Sequence, residues 1–479
     1  MQRFAFAHRW IEGDARLTNA ALCLLGFALV RLAQQFGFEI GRFWIGFEDV
    51  ALLSALVYLG AVLIVRTQPV NRATLWIVVG FAVAMHAMTF LVDPFLSSDM
   101  YRYVWDGMVQ HHGISPYRYV PGDPVLSWLR APNQEIFDNI NRRDYARTIY
   151  PPVAQMVYWL AAWFAPTVDA MKLTMLAFEG LAAWALVKLL ERWGRPAAEV
   201  LLLLWCPLLV WEIGNAAHVD AVVIGFVGLA LLFRWRERPW LTGLFLGCAV
   251  MTKFYPLVLF PALWQRRDWR MPTAVVAVVA VGYALYARVG WLVFGFLGGY
   301  QKEEGMESGT RYFPLEFART RMGMPWLPNT AYYALCAVVM GAIVWWCWRQ
   351  ASVERPAHPD GQAVGTQAAP GVWVAPAYVR GAGALAFAMM LLFSPHYPWY
   401  VIWLVPFLVL SPSLPMYTYV LGLWFGLTTG LAAPGPKMFL MNERLYLGVA
   451  TAFGLDWALR RWPVMPRLVS RGRLLAGLR

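Results

Sequence analysis

The sequence predicts an all-α polytopic membrane protein, a helix bundle of about 12–14 transmembrane spans with one large outer loop carrying amphipathic helices. Three observations lead there. Of the 479 residues, 59% are hydrophobic and only 14% charged, with a mean hydropathy of +0.49, a balance that a water-soluble globule of this size could not keep dispersed. The apolar residues come in runs close to the roughly 20 residues that a helix needs to cross the hydrocarbon core. The Arg residues gather in short clusters between those runs, as the positive-inside rule requires. The formal charge of +12 therefore reports orientation, and no nucleic-acid partner follows from it.

Apolar runs place spans near 17–33, 50–65 and 73–92, followed by the long polar stretch 93–150, and then near 168–190, 197–213, 219–233, 272–292, 330–348, 378–394, 399–411, 414–432 and 444–459. The first run has no small-residue cleavage site after it and is read as a retained span. Tyr150 to Ala165 is short, opens with Pro151 and Pro152, and reads as a dip that returns to its own side. Trp240 to Trp264 has Arg clusters at both ends and Lys253, Tyr255 and Pro256 in its middle. That pattern reads as a re-entrant helix pair over 240–264, tolerated only where neighbouring helices satisfy the broken backbone. With both assignments the basic clusters fall inside, and one outer face collects the polar loops. The chain is then a single integral membrane domain, 1–479, with an outer active-site loop over 93–150 and a cytoplasmic linker over 349–377, rich in Ala, Gly, Pro and Gln. The cysteines Cys23, Cys206, Cys248, Cys336 and Cys347 lie in apolar runs without CxxC spacing and read as buried thiols.

Within the loop, Ser97 or Ser98 caps a helix running to about Gly113. Asp99, Arg102, Asp106 and Gln110 share one face of it, which predicts an amphipathic helix at the membrane surface with its carboxylates exposed. The bland alternative is a solvated face with an Arg–carboxylate pair. His218 and Asp220, with Glu212 nearby, lie where an apolar span reaches the outer face. Ionisable groups at that depth are costly and are usually retained for function, although a hydrogen-bonded helix pin would look the same. A His-x-Asp pair is weak support for a metal site. His396 sits among Pro395, Tyr397, Pro398, Trp399 and Tyr400, either as a donor to a lipid phosphate or within an ordinary aromatic belt. Arg102, Arg118, Arg142, Arg143, Arg147, Arg311, Arg319 and Arg321 are outward cations suited to an anionic headgroup or pyrophosphate. No P-loop, dinucleotide fingerprint, HExxH or DxD is present, which argues against soluble nucleotide chemistry.

The segments SSDMYRYVWDGMVQHHGISPYRYVP, IYPPVAQ, EIGNAAHVDA, TKFYPLVLFPAL and SPHYPWYVIWLVPF, in that order, resemble the GT-C class of polyprenol-phosphate-sugar-dependent glycosyltransferases, notably the glycosyltransferase 87 (DUF2029) mannosyltransferases. The resemblance implies a multi-pass protein of the bacterial inner membrane. It implies transfer of a sugar, mannose by analogy, from a polyprenyl-phosphate donor to a lipid-linked or glycan acceptor on the periplasmic face, with inversion. It also puts the catalytic base on an acid of the first large outer loop, here Asp99. The chemistry agrees with one carboxylate: a polyprenyl phosphate leaves as a stabilised anion and needs cations, so only the acceptor hydroxyl needs a base. Arg102, Lys253 and His396 are expected at the phosphate or headgroup. Tyr103, Asp106, Tyr150, His218, Asp220 and Tyr397 are expected to line the sugar or acceptor pocket, with Asp106 the reserve base. No particular cofactor follows from the sequence, a divalent cation is left open, and the protein is expected to act as a monomer among membrane lipids. The competing reading is a glycolipid transporter or flippase, motivated by buried His and Asp residues and broken helices; a silent assembly scaffold is the third.

Overall fold

The computed structural model describes residues 14–36, 46–353, 374–428 and 436–461, and every regular element among them is helical. The expected all-α polytopic architecture is therefore what the chain adopts. The first three helices are α1 (Arg16–Ala33), α2 (Phe47–Thr67) and α3 (Arg72–Phe90). Asn71 caps α3 by accepting the Thr74 N–H at 3.0 Å, and the Thr74 hydroxyl donates to Asn19 on α1 at 2.6 Å. The other end of α3 is closed by Lys172, whose ammonium donates to the carbonyls of Phe90 and Val92 at 2.8 and 2.7 Å.

The outer loop carries α4 (Asp99–His111), and α5 (Pro152–Phe164) and α6 (Val168–Arg192) follow. Next come a broken stretch over 197–212, α7 (Asp220–Trp235) and α8 (Pro239–Val250). The chain turns at 251–254 and returns through short helical pieces at Tyr255–Leu259 and Phe260–Leu263. The remaining helices are α9 (Arg270–Leu285), α10 (Leu297–Glu303), α11 (Phe313–Thr320), α12 (Asn329–Val353), α13 (Ala377–Phe393), α14 (Leu414–Thr428) and α15 (Pro436–Arg461), with a 3-10 stretch Pro398–Leu404 running into the short helix Val405–Leu410 between α13 and α14.

Fewer helices are long enough to span than the apolar runs imply. Among the described residues five qualify by length and composition, α1, α2, α3, α6 and α12, and six if α9 and its continuation to Glu303, bent by 109°, count as one. Proline is the reason for much of the difference. Pro207 and Pro256 interrupt the runs 197–213 and 240–264, and Pro398 and Pro406 shape 399–411, because each removes a backbone donor and clashes with the preceding turn. These broken pieces form the centre of the bundle, where protein can satisfy the freed groups. Tyr58 donates to the Leu202 carbonyl at 2.7 Å and Thr89 to the Val210 carbonyl at 3.0 Å, while Trp205 donates to Val78 on α3 at 2.8 Å. A buried ion cluster closes the side that carries the basic clusters. Glu199 pairs with Arg66 at 3.0 Å and with Arg195, and Arg195 also donates to the Val409 and Leu410 carbonyls.

Around this core α6 packs on α7, α7 on α8, α8 on α9, α12 on α13, and α14 on α15. On α12, Leu335, Val338 and Trp345 face outward, as a lipid-exposed helix requires. Of the cysteines only Cys206 and Cys347 are buried; Cys23, Cys248 and Cys336 are half-buried, and all five are free. Most of the 349–377 linker and of the basic tail from Arg460 lies outside the described residues, as does the end of the predicted 414–432 span.

Candidate active site

The α4 helix is buried on nearly every side and does not lie on a surface with its carboxylates free. Residues Met100 and Arg102 to Val109 are all buried. The sequence pattern misleads because α5 covers the polar face. Gly107 allows that approach: a Cβ there would stand 2.5 Å from the Tyr158 carbonyl. Asp106, 1% exposed, accepts from Arg102 Nε at 2.8 Å and from Gln155 Nε2 at 2.9 Å. Both its oxygens accept from buried donors and, unlike Asp99, it does not line the cleft, so the expected reserve base lies beneath the wall. Arg102 donates onward to the Ala146 carbonyl at 3.0 Å, and Gln155 to the Thr148 hydroxyl at 2.8 Å. This buried network pins the extended run 146–150 against α4.

Asp99 opens α4, its own N–H donating to the Ser97 hydroxyl at 3.2 Å. Its carboxylate accepts from Asn141 Nδ2 at 2.9 Å and from the Tyr150 hydroxyl at 3.3 Å, and faces a cleft of about 270 Å³. Tyr103 lies beneath, its ring parallel to Tyr158 at 4.5 Å and its hydroxyl 3.3 Å from that of Tyr150. The first-turn amides of α5, Val153 and Ala154, donate to the Met251 carbonyl at 2.9 and 3.3 Å. They thereby fix the turn after α8 that delivers Lys253 into the same cleft.

Lys253 donates to the fully buried Asp220 at 2.5 Å, the other Asp220 oxygen accepts from Tyr255, and the ammonium stands 4.8 Å from the Tyr400 ring centre. Asp220 therefore holds the lysine and does not itself reach the cleft. His218 is likewise one layer down, fully buried, 3.2 Å from Glu212 and stacked on Trp399 at 4.1 Å. Trp399 in turn stacks on Tyr397 at 4.6 Å, and both of these rings line the cleft. His396 stands behind the wall, 3.9 Å from Glu304. Burial and the nearby Arg311 charge push its imidazole down to about 4.

The cleft thus gathers Asp99, Arg102, Tyr150, Lys253 and Tyr397 from the sequence-predicted set, while Tyr103, Asp106, His218, Asp220 and His396 form its supporting layer. Sequence reasoning passes over Glu304 and Tyr300, which α10 and its end bring to the wall, where Glu304 pairs with the buried Arg311. A signal for them exists: a short polar run, YQKEEG, directly after an aromatic one. Arg147 reads from sequence only as an outward cation. It lines the cleft with its Nε on the Arg118 carbonyl at 3.2 Å and, among the described residues, has no carboxylate partner. Arg142, by contrast, pairs with Glu303 at 2.6 Å. No three His, Cys, Asp or Glu side chains among the described residues come together as metal ligands, so a divalent cation would find no ready protein cage in this donor set.

Residues 43–266, which carry Asp99, Tyr150 and Lys253, match the family described as "Alpha-(1->6)-mannopyranosyltransferase, N-terminal domain". Over that segment, a little under half of its length, the chain is similar to this mannosyltransferase family. The chain is also 23% identical over 242 residues to the curated "Alpha-(1->6)-mannopyranosyltransferase A" of Corynebacterium glutamicum, a match covering 47% of the chain and 46% of that relative. It thus spans about half the length of the relative. No solved structure matches it. The family segment ends before Tyr300, Glu304, Tyr397, Trp399 and Tyr400, so the matched segment supplies Asp99, Tyr150 and Lys253 to the cleft and the remainder of the chain most of its aromatic wall together with Glu304.

Proposed function

We propose that this chain is an inverting membrane glycosyltransferase that moves mannose from a polyprenyl-phosphate donor to a glycan or glycolipid hydroxyl on the periplasmic face of a bacterial inner membrane. One observation carries the reading. Asp99 is open to a cleft whose other walls present Arg147 and Lys253, and, with Glu304 taken up by Arg311, it is the cleft carboxylate that faces cations across a space of small-ligand size.

Each group then has a role set by its surroundings. Asp99, held by Asn141 and Tyr150, takes the proton of the acceptor hydroxyl as its oxygen attacks the anomeric carbon. The bond from that carbon to the phosphate oxygen breaks, and the phosphate leaves as an anion that needs no general acid. Arg147 and Lys253 stabilise its charge, and Lys253 is aimed by Asp220 and not free to swing away. Tyr397 and Trp399 give flat apolar surface beside the cleft, suited to the apolar face of a pyranose. A single base and a departing phosphate on opposite sides of the anomeric carbon produce inversion.

The test is mannosyl transfer from polyprenyl-phosphate-mannose to a glycan acceptor by the purified full chain. Asp99→Asn is expected to lower turnover by about 10²–10⁴-fold, the range for loss of a positioned base, with donor binding retained. Full turnover by that variant would remove the base assignment. Failure of the wild type with any lipid-linked sugar would remove the transferase reading.

A further inference from the structure

The geometry points to the segment 287–296 as the track along which the apolar tail of a lipid phosphate runs to the cleft, with its phosphate ending on Arg147. This rests on the transferase reading for its purpose, but its support is structural. At the end of α9 the chain bends by 109° and continues as Ala287–Phe294, none of whose residues is buried. Trp291 is 86% exposed, Phe294 44% and Leu292 41%. An element that leaves an apolar helix nearly at a right angle and shows such rings outward is suited to lie along the membrane interface, where aromatic side chains sit at headgroup depth and bury apolar surface in the acyl boundary.

What separates this segment from an ordinary aromatic belt is where it leads. Gly290 and Gly295, at φ +58° and +55°, bracket the exposed rings. At Gly295 the backbone presses on the Thr148 carbonyl so closely that no Cβ would fit. The next residue, Phe296, donates its N–H to the same carbonyl at 3.4 Å, stacks edge-on against Tyr145 at 5.6 Å, and lines the cleft. Thr148 is the immediate neighbour of Arg147. The chain therefore runs directly from outward-facing rings to a cleft wall beside a cation with no carboxylate partner among the described residues. A ligand matching both ends has a long hydrocarbon tail and an anionic head, which describes a lipid phosphate and neither a soluble sugar nor a neutral lipid.

The experiment measures binding of a long-chain polyprenyl phosphate and of dimethylallyl phosphate to the full chain in nanodiscs of fixed lipid composition, with mannosyl transfer recorded in parallel. Trp291→Ser with Phe294→Ser is expected to weaken long-chain binding about tenfold, the scale of removing two aromatic rings that a hydrocarbon tail partly covers, and to leave dimethylallyl phosphate unchanged. Trp291→Phe restores most of the loss. Arg147→Gln weakens both ligands by the same factor, because it removes the shared headgroup contact. The altered side chains of the track are exposed, so the double variant keeps its core. Equal weakening of both ligands by the double variant, or no weakening of either, overturns the track. So does an Arg147→Gln variant that binds both as the wild type does. Tail-dependent binding without transfer to any acceptor leaves the track standing and removes the transferase reading. Transfer with tail-independent binding does the reverse.

Discussion

Asp106→Ala tests whether the pair beneath the cleft is architecture. Arg102 and Asp106 are 6% and 1% exposed and meet at 2.8 Å. Removing the carboxylate leaves a guanidinium buried without its counter-charge, a loss of about 3–5 kcal/mol for a broken buried pair. The Gln155 amide loses one of its two acceptors as well, for about 1 kcal/mol more. A fall of this size is a large share of the 5–15 kcal/mol or so that holds a typical domain together. Asp106→Asn keeps the shape and one acceptor oxygen and is expected to lose roughly 1–3 kcal/mol. The informative comparison is Arg102→Met with Asp106→Leu. With both charges gone no ion is stranded, and replacing a buried pair by apolar side chains is commonly neutral or stabilising, so the double variant should recover about 3 kcal/mol relative to Asp106→Ala. Activity should not recover with it. The Ala146 carbonyl has lost its guanidinium donor, and the run that presents Arg147 and Tyr150 is no longer pinned. Unfolding in detergent micelles reads the first quantity, and hydrogen–deuterium exchange of the 146–150 amides reads the second. The reasoning fails if Asp106→Ala melts with the wild type, if the double variant is no more stable than Asp106→Ala, or if 146–150 exchange is the same in all three. It fails in a different way if Asp106→Asn abolishes transfer while Asp99→Asn spares it.

Three further outcomes follow from single contacts. Gly107→Ala puts a methyl 2.5 Å from the Tyr158 carbonyl and should destabilise the chain by about 1–3 kcal/mol as α4 and α5 are forced apart; an unchanged melting curve would contradict that packing. Asp220→Asn removes the charge that aims Lys253 and should raise KM for the donor more than it lowers kcat, whereas a pure kcat effect would place Lys253 away from the donor phosphate. His396 titrates at about 4 in the folded chain against an ordinary 6.5, through burial and the Arg311 charge, with Glu304 on its other side. Between those values the unfolded chain binds more protons, so this residue's share of stability is fully present above pH 6.5 or so and is lost as pH falls through about 4. His396→Gln should flatten that part of the pH–stability curve, and an unaltered curve would refute the assignment.

The membrane class and the position of the longest spans are legible in the sequence because hydropathy is a local property of a run of residues. Asp99 is legible for a similar reason, being the first acid of a capped helix at the start of the outer loop. Asp106 shows where such reasoning stops. The same spacing that marks an exposed polar face also describes a face sealed by another polar partner, and Gln155 lies 49 residues further along the chain. Nothing local distinguishes the two cases. Asp220 and His218 stand out because an ionisable group in an apolar span is expensive. That argument holds equally for a residue that touches substrate and for one that holds the residue that does, so it cannot say that Asp220 ends on Lys253 and His218 on Trp399.

Glu304 and Tyr300 escape a sequence reading for a different physical reason. They belong to no apolar run and no recognisable motif, and they reach the cleft only because α9 ends at Leu285 and the chain turns through 109° before α10. Beyond that bend the path is shaped by glycine at 290 and 295, where positive φ is cheap for glycine and costly for any residue with a Cβ. The run GWLVFGFLGGY therefore contains two instructions at once, apolar rings for the lipid and glycines for the turn, and a hydropathy reading averages the second away. The cleft draws Asp99 from a capped helix start, and Phe296, Tyr300 and Glu304 from this run and the residues that follow it. This explains why Asp99 can be named from sequence while Tyr300 and Glu304 have to be seen in three dimensions.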